Sequence, residues 1–274
     1  MDIDLPYILF WTVLGSGVII LIDQFFLRPA RLKAGEAVAT SASQQQPPAQ
    51  PLVVEYARSF FPVLLLVFVL RGFIAEPYQI PSESMLPTLE VGDFILVNKY
   101  AYGLRFPVLG GKFMDVDDPA RGDVMVFVPP HDPRYFIKRV IGIPGDRVRY
   151  ANKTLYVNGE RLSYEFVREF SDPGLRSRVR EYVEETDGRR YPIYKSAGYE
   201  RAQEWTIGEG QYLMIGDNRD RSADSRTWGL ASADNIVGKA VAIWAHKPPG
   251  WQWPSFKRNR WLSEPAPAAL SESS

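Results

Sequence analysis

The chain has 274 residues, 46% hydrophobic, 13% aromatic and 23% charged, a composition incompatible with wholesale disorder or a collagen-like repeat. Lys plus Arg and Asp plus Glu each number 32, so the chain as a whole presents no polycationic face to a phosphate backbone, which argues against a nucleic-acid partner. With 0 Cys there are no disulfides, thiol nucleophiles or Cys-based zinc sites, and 2 His leave few conventional catalytic bases.

Leu5 to Ile22 carry no charge and are dominated by Ile, Leu, Val and aromatic residues. Continued through Phe25, Phe26 and Leu27, the segment reaches the about 20 residues a helix needs to cross a bilayer core, provided Asp23 meets a partner or lies near an interface. Asp2 and Asp4 stand where a signal peptide carries basic residues, and no small-residue cleavage pattern follows, so residues 1–27 read as an uncleaved anchor. Ser59 to Leu70 is a second charge-free run. By length it fits a buried core helix, but with Arg71 snorkelling toward the headgroups residues 59–75 read as a second crossing. In the intervening 28–58 stretch, Arg28, Arg31, Lys33 and Arg58 outnumber Glu36 and Glu55, which predicts a cytoplasmic loop. It contains a Ser/Gln/Pro/Ala tether from Thr40 to Pro51. Everything after about Glu76 then lies on the outer face.

The remainder alternates short apolar runs with Gly, Pro and Asp, predicting strands at Phe94–Val97, Val124–Val128, Tyr135–Ile141, Arg147–Tyr150, Leu155–Val157, Gln211–Met214 and Val237–Trp244. Asn158-Gly159 is a two-residue hairpin signal, because Asn-Gly supplies the positive φ angles of a type I′ turn. The expected fold is a mainly β domain of antiparallel sheets over 76–150 and 206–262. A charged, Tyr-rich β-ribbon insertion at 151–205 interrupts it, a tail follows at 263–274, and two N-terminal transmembrane helices anchor it.

Several constellations bear on chemistry. There is no phosphate-binding Gly-rich loop and no His-Glu-x-x-His. Asp217, Asp220 and Asp224 fail the calcium-loop register, with Arg219 and Arg221 at ligand positions, so no metal or cofactor is expected. Ser82 and Ser84 lie in Pro81-Ser-Glu-Ser-Met-Leu-Pro-Thr88; taken alone this is a turn, since a hydroxyl attacks only when a base removes its proton. Lys138 is a candidate base, placed by strand alternation on one face with Phe136 and Val140. An edge lysine snorkelling to water fits the same pattern. At an unperturbed pKa of about 10.4 only about 0.1% of the amine is neutral near pH 7.5, so the role requires burial among apolar groups. His131 and His246 are rival bases, each set among prolines, and leave a conventional triad open. Gly216 to Arg226 packs alternating charges and small hydroxyls into one loop, which suits a salt-bridged turn with a hydroxyl available to orient the lysine.

Together these segments resemble the type I signal peptidases, membrane-bound Ser-Lys proteases that remove signal peptides from exported proteins. Pro81 to Leu89 with Gly92 to Val97 looks like the nucleophile box of that family, Arg121 to Phe127 the next, Ile137 to Asp146 the lysine box and Gly216 to Arg226 the last. The resemblance covers roughly 76–150 and 205–254, and the lysine at 138 sets the chain apart from reticulum-type relatives, which use histidine. It implies Ser84 as nucleophile and Lys138 as general base. Ser82, with the Ser84 backbone, would form the oxyanion hole, and Ser222 would orient the lysine. Arg139, Asp217, Asp224 and Arg226 would support the site through ion pairs. Ile80, Met85, Leu89, Phe136 and Ile137 would line the first substrate pocket, and Tyr78, Ile80, Ile95, Val126 and Ile137 the third. It further implies cleavage of preprotein signal peptides after Ala-x-Ala-type sequences, with no cofactor, and a two-pass protein of the bacterial inner membrane facing the periplasm. Trp244, Trp251 and Trp253 suit a bilayer interface, and nothing requires more than a monomer. Two other classes remain open: a self-cleaving Ser-Lys protein of the SOS-repressor type, disfavoured by the apolar spans, and a non-enzymatic tethered β-domain.

Overall fold

The computed structural model describes residues 5–39, 50–106, 108, 110–172 and 177–263. Most of the expected tether and the tail beyond Ser263 lie outside the described residues. The chain divides into a helical unit, up to Ile74 together with Arg105–Phe113, and a β unit holding the rest.

In the helical unit, Leu5–Ile22 continues through a π-helical turn at Asp23–Leu27 into a helix over Arg28–Ala39, and Leu52–Val69 continues into a π-helical turn at Leu70–Ile74. Two segments, Leu5–Lys33 and Leu52–Ile74, are long and apolar enough to cross a membrane. Both helices extend further toward the loop than their apolar runs. Arg28–Ala39 is built largely from strong helix formers, and Pro51 sits just before a first turn that carries Glu55. Asp23 has the partners its position demands: its buried carboxylate accepts from Arg31 Nη2 at 2.6 Å and from Arg58 Nη2 at 3.0 Å, tying the two helices together.

In the β unit the seven expected strands form, most of them within one residue of their apolar runs and the longest as Ile236–His246. The main sheet is antiparallel and runs in the order Ala75–Gln79, Asp93–Asn98, Ile236–His246, Val124–Phe127, Phe136–Gly142, Gln211–Ile215 and Ala231–Ser232, with Arg260–Trp261 paired onto Ile236–His246. Burial on both faces explains why several of these strands read as continuous apolar runs. One buried cluster contains Ile80, Met85, Leu89, Ile95, Val97, Val126 and Ile137, and a second contains Tyr102, Met125, Phe127, Val140 and Met214. The Phe136–Gly142 strand lies between them, sending Ile137 to the first and Val140 to the second.

Residues 151–205 contribute to two further sheets, the first of which also takes in the strand that begins at Arg147. Arg147–Ala151, Thr154–Val157, Glu160–Arg161 and Gln203–Thr206 form a small four-stranded sheet over a third core cluster that includes Val148, Tyr150 and Leu155. Asn158 at φ 52° and Gly159 at φ 87° make the predicted hairpin turn. Ser163–Asp172, Ser177–Thr186 and Arg189–Ser196 form a separate three-stranded ribbon.

Candidate active site

The turn that carries Ser84 lies in the connection, residues 80–92, between two paired strands. Ser82 is extended, Glu83–Met85 makes one 3-10 turn, and Met85 and Leu89 drive fully buried side chains into the core, which fixes the turn from beneath. Backbone hydrogen bonds from Gly92 N to Ile80 O (2.9 Å) and Ile80 N to Asp93 O (2.8 Å) close the loop at its base. Gly92 adopts φ 94°, and a Cβ there would stand 2.2 Å from the Lys247 carbonyl oxygen, so only glycine allows that approach.

Lys138 reaches this turn from the middle of the sheet. Its Nζ donates to Ser84 Oγ at 2.8 Å and to the Ile137 carbonyl at 2.8 Å, and Ser82 Oγ lies 3.3 Å from Ser84 Oγ. The lysine is only 4% exposed, and its Nζ lies 5.4 Å from the centre of the Phe136 ring. Burial pulls its pKa down to about 8, against the Asp224 and Asp217 carboxylates, which favour the charged form. At pH 7.5 about a quarter of such an amine is neutral, against about a thousandth at 10.5. A neutral amine within hydrogen-bond reach of a buried hydroxyl is an arrangement able to generate a serine nucleophile.

The loop at 216–226 wraps the other side. Arg139 forms a two-pronged pair with Asp217 (Nε to Oδ1 2.8 Å, Nη2 to Oδ2 2.6 Å), and Thr88 Oγ1 donates to the same carboxylate. Arg226 pairs likewise with Asp224 (both 2.8 Å), whose Oδ2 also accepts from Gly216 N at 3.0 Å. A Cβ at Gly216 would come within 2.5 Å of Ser84 O and 2.3 Å of Ser222 Oγ, so the glycine lets this loop close on the Ser84 turn. Ser222 departs from expectation. Its buried Oγ has no hydrogen-bond partner among the described residues, and Lys138 turns to Ser84 and to the nearby carbonyl of Ile137 instead.

Of the expected pocket residues, Ile80, Met85, Leu89, Ile95, Val126 and Ile137 fall in one cluster, with Tyr78 packed against it. Phe136 lies with the second cluster, because it shares a strand face with Lys138 and Val140. The two histidines engage other partners. His131 stacks on Trp228 with ring centres 5.8 Å apart, and His246 Nδ1 lies 2.8 Å from Asp93 Oδ1; neither hydrogen-bonds Ser84.

Sequence reasoning missed the part played by the ribbon. Glu184, fully buried, holds Arg219 by bonds of 2.8 and 2.5 Å and accepts from Tyr191 Oη at 2.7 Å. Tyr191 in turn lies 3.8 Å below the Arg139 guanidinium, and Tyr194 N donates to Asp217 O at 2.9 Å. The ribbon therefore braces both the lysine strand and the 216–226 loop. Within its charge-rich sequence Glu184 has the same appearance as its solvent-facing neighbour Glu185. Asn218, inside the 216–226 loop, carries no role in the sequence reading either; its side chain contacts the Ser84 turn directly, donating to the Glu83 carbonyl.

Comparison with known proteins gives a consistent picture. The family described as "Signal peptidase, peptidase S26" matches residues 53–245. The chain is 45% identical over 269 residues to signal peptidase I of Pseudomonas aeruginosa, covering 90% of this chain and 94% of that protein. Its counterpart in Pseudomonas fluorescens is 43% identical with the same coverage, and that of Haemophilus influenzae 33% identical over 84% of this chain and 82% of the relative.

Proposed function

The chain belongs to the signal peptidase family, peptidase S26, and from that premise we propose that Ser84 and Lys138 are the dyad with which it cuts signal peptides from exported preproteins. It is a serine peptidase of the signal peptidase I type, carrying two N-terminal apolar helices suited to membrane anchoring. The observation that carries the dyad is the 2.8 Å contact between a buried, pKa-lowered amine and a serine hydroxyl.

Neutral Lys138 takes the proton from Ser84 Oγ as the oxygen attacks the scissile carbonyl. The carbonyl oxygen gains negative charge, which the Ser84 backbone N–H and the Ser82 hydroxyl stabilise. As the tetrahedral centre collapses, the protonated lysine delivers its proton to the departing amine, leaving an acyl-enzyme. Lys138, neutral again, then takes a proton from water as that water attacks the ester, and returns it to Ser84 Oγ. Ile80, Met85, Leu89 and Ile137 line the first pocket, and Tyr78, Ile95 and Val126 extend the apolar wall to the third, while Phe136, on the other strand face, packs near the amine. These walls admit small side chains and keep the lysine dry. Asp217 with Arg139 and Asp224 with Arg226 hold the surrounding loops in place.

The excess of basic residues between the two helices supports a cytoplasmic loop, and hence a two-pass protein of the bacterial inner membrane whose β unit faces the periplasm. Trp251, Trp253 and Phe256, all exposed, offer aromatic surface to the bilayer interface. Incubating detergent-solubilised protein with a preprotein tests the reading. Wild type should cut after Ala-x-Ala, and Ser84→Ala and Lys138→Met should not. Retained cutting by Lys138→Met, or its loss in His131→Ala or His246→Ala, would overturn the lysine as base.

A further inference from the structure

The oxyanion-stabilising N–H of Ser84 belongs to a peptide group whose other end is the Glu83 carbonyl. Being early in a single 3-10 turn, this N–H has no acceptor within the turn and is available to a ligand. The Glu83 carbonyl, by contrast, accepts twice: from Leu86 N at 3.1 Å, inside the turn, and from Asn218 Nδ2 at 3.0 Å, across from the opposite loop. A carbonyl facing the amide fixes its orientation, since only the NH2 end can donate. Asn218 also donates its own backbone N–H to Ser84 O at 3.1 Å. One residue thus grips the peptide groups on both sides of the nucleophile, and it is buried, at 6% exposure.

We propose that Asn218 is a positioning residue for the oxyanion hole, its side-chain amide orienting and polarising the Glu83–Ser84 peptide so that the Ser84 N–H meets the developing negative charge. The inference rests on the assignment of Ser84 as nucleophile. A donor on the carbonyl end of a peptide group strengthens the N–H at its other end, because hydrogen bonds in a chain polarise one another. It also resists rotation of that peptide, so the donor need not reorganise during reaction. Asn218 touches neither Lys138 nor the clustered pocket residues through any of these bonds, so its effect falls on the transition state rather than on substrate binding or on the base.

The test compares wild type with Asn218→Ala and with Asn218→Asp, which keeps the shape but sets an acceptor against the Glu83 carbonyl. Preprotein cleavage is measured as kcat and KM across pH, alongside inhibition by a peptide aldehyde, which forms a tetrahedral adduct on serine. Direct loss of an oxyanion donor costs about 10²–10³ in kcat; the indirect loss in Asn218→Ala should cost roughly 10-fold, and Asn218→Asp more. KM should stay within about twofold, aldehyde affinity should fall in parallel with kcat, and the acidic limb of the pH profile should not move. An unchanged kcat or unchanged aldehyde affinity, a loss appearing in KM, or a displaced acidic limb in the soluble variants would overturn the inference. Ser84→Ala, assayed beside them, separates the two levels: if it still cuts, the nucleophile assignment itself fails, whereas if it is inactive while Asn218→Asp is normal, only the role of Asn218 fails.

Discussion

A base that is kept neutral by burial destabilises the fold that buries it, and replacing Lys138 by Met should therefore abolish cleavage while making the protein more stable. Burial lowers the lysine from 10.5 to about 8. The unfolded chain binds a proton more readily than the native state, so stability is lost as pH falls from about 10.5 to 8 and the full penalty stands below 8. At pH 7 it amounts to about 3 kcal/mol, and at pH 10 to under about 1 kcal/mol. Methionine matches the lysine stem and carries no charge, but it leaves the Ile137 carbonyl without the donor it has at 2.8 Å, a loss of about 1 kcal/mol. The variant should gain about 2 kcal/mol at pH 7, or roughly 4–8 °C in Tm, and nothing near pH 10. Thermal unfolding in detergent at the two pH values measures the difference. A variant no more stable than wild type at pH 7, or a gain that persists undiminished at pH 10, would contradict a buried amine held below its ordinary pKa.

Three other outcomes follow from the same geometry. kcat/KM for preprotein cleavage should rise with pH through about 8 and level off above, because the proposed base role of Lys138 requires the neutral amine; a profile flat from pH 6 to 9 would argue against it. Glu184→Ala leaves Arg219 buried and unpaired and should cost about 3–5 kcal/mol of stability, with activity falling as the 216–226 loop loosens; chemical denaturation of the purified protein reads the first, and an unchanged midpoint would count against the brace. Replacing Trp251 and Trp253 by Ala should slow cleavage in liposomes while leaving it intact in detergent, and equal rates in both would remove these residues from the membrane surface.

The strands were legible because their apolar runs are short and bounded by Gly, Pro and Asp, and Asn158-Gly159 forced its own turn. The contact between Ser84 and Lys138 was legible only from the two segments taken together: neither the Pro-flanked turn nor the apolar strand marks its residue, and 54 positions separate them until the sheet brings them together. Less legible were contacts that depend on where loops fold back. Glu184 gives no periodic signal distinguishing it from a solvent-facing glutamate, and the amide of Asn218 carries meaning only once the Glu83 carbonyl lies opposite. Ser222 shows the converse: a matching position brings a side chain into the site without fixing which partner it takes. The helix ends were missed because apolar length reports what can cross a bilayer, whereas Arg28–Ala39 is helical by propensity.

The most direct test is the titration of the lysine amine itself. In protein labelled with 15N at lysine Nζ, the resonance missing from Lys138→Met identifies the group, and its shift against pH gives the pKa. A midpoint near 8 is expected of an amine buried beside Ser84; a midpoint above 10 would mean that the nitrogen stays charged at the pH of catalysis and cannot be the base.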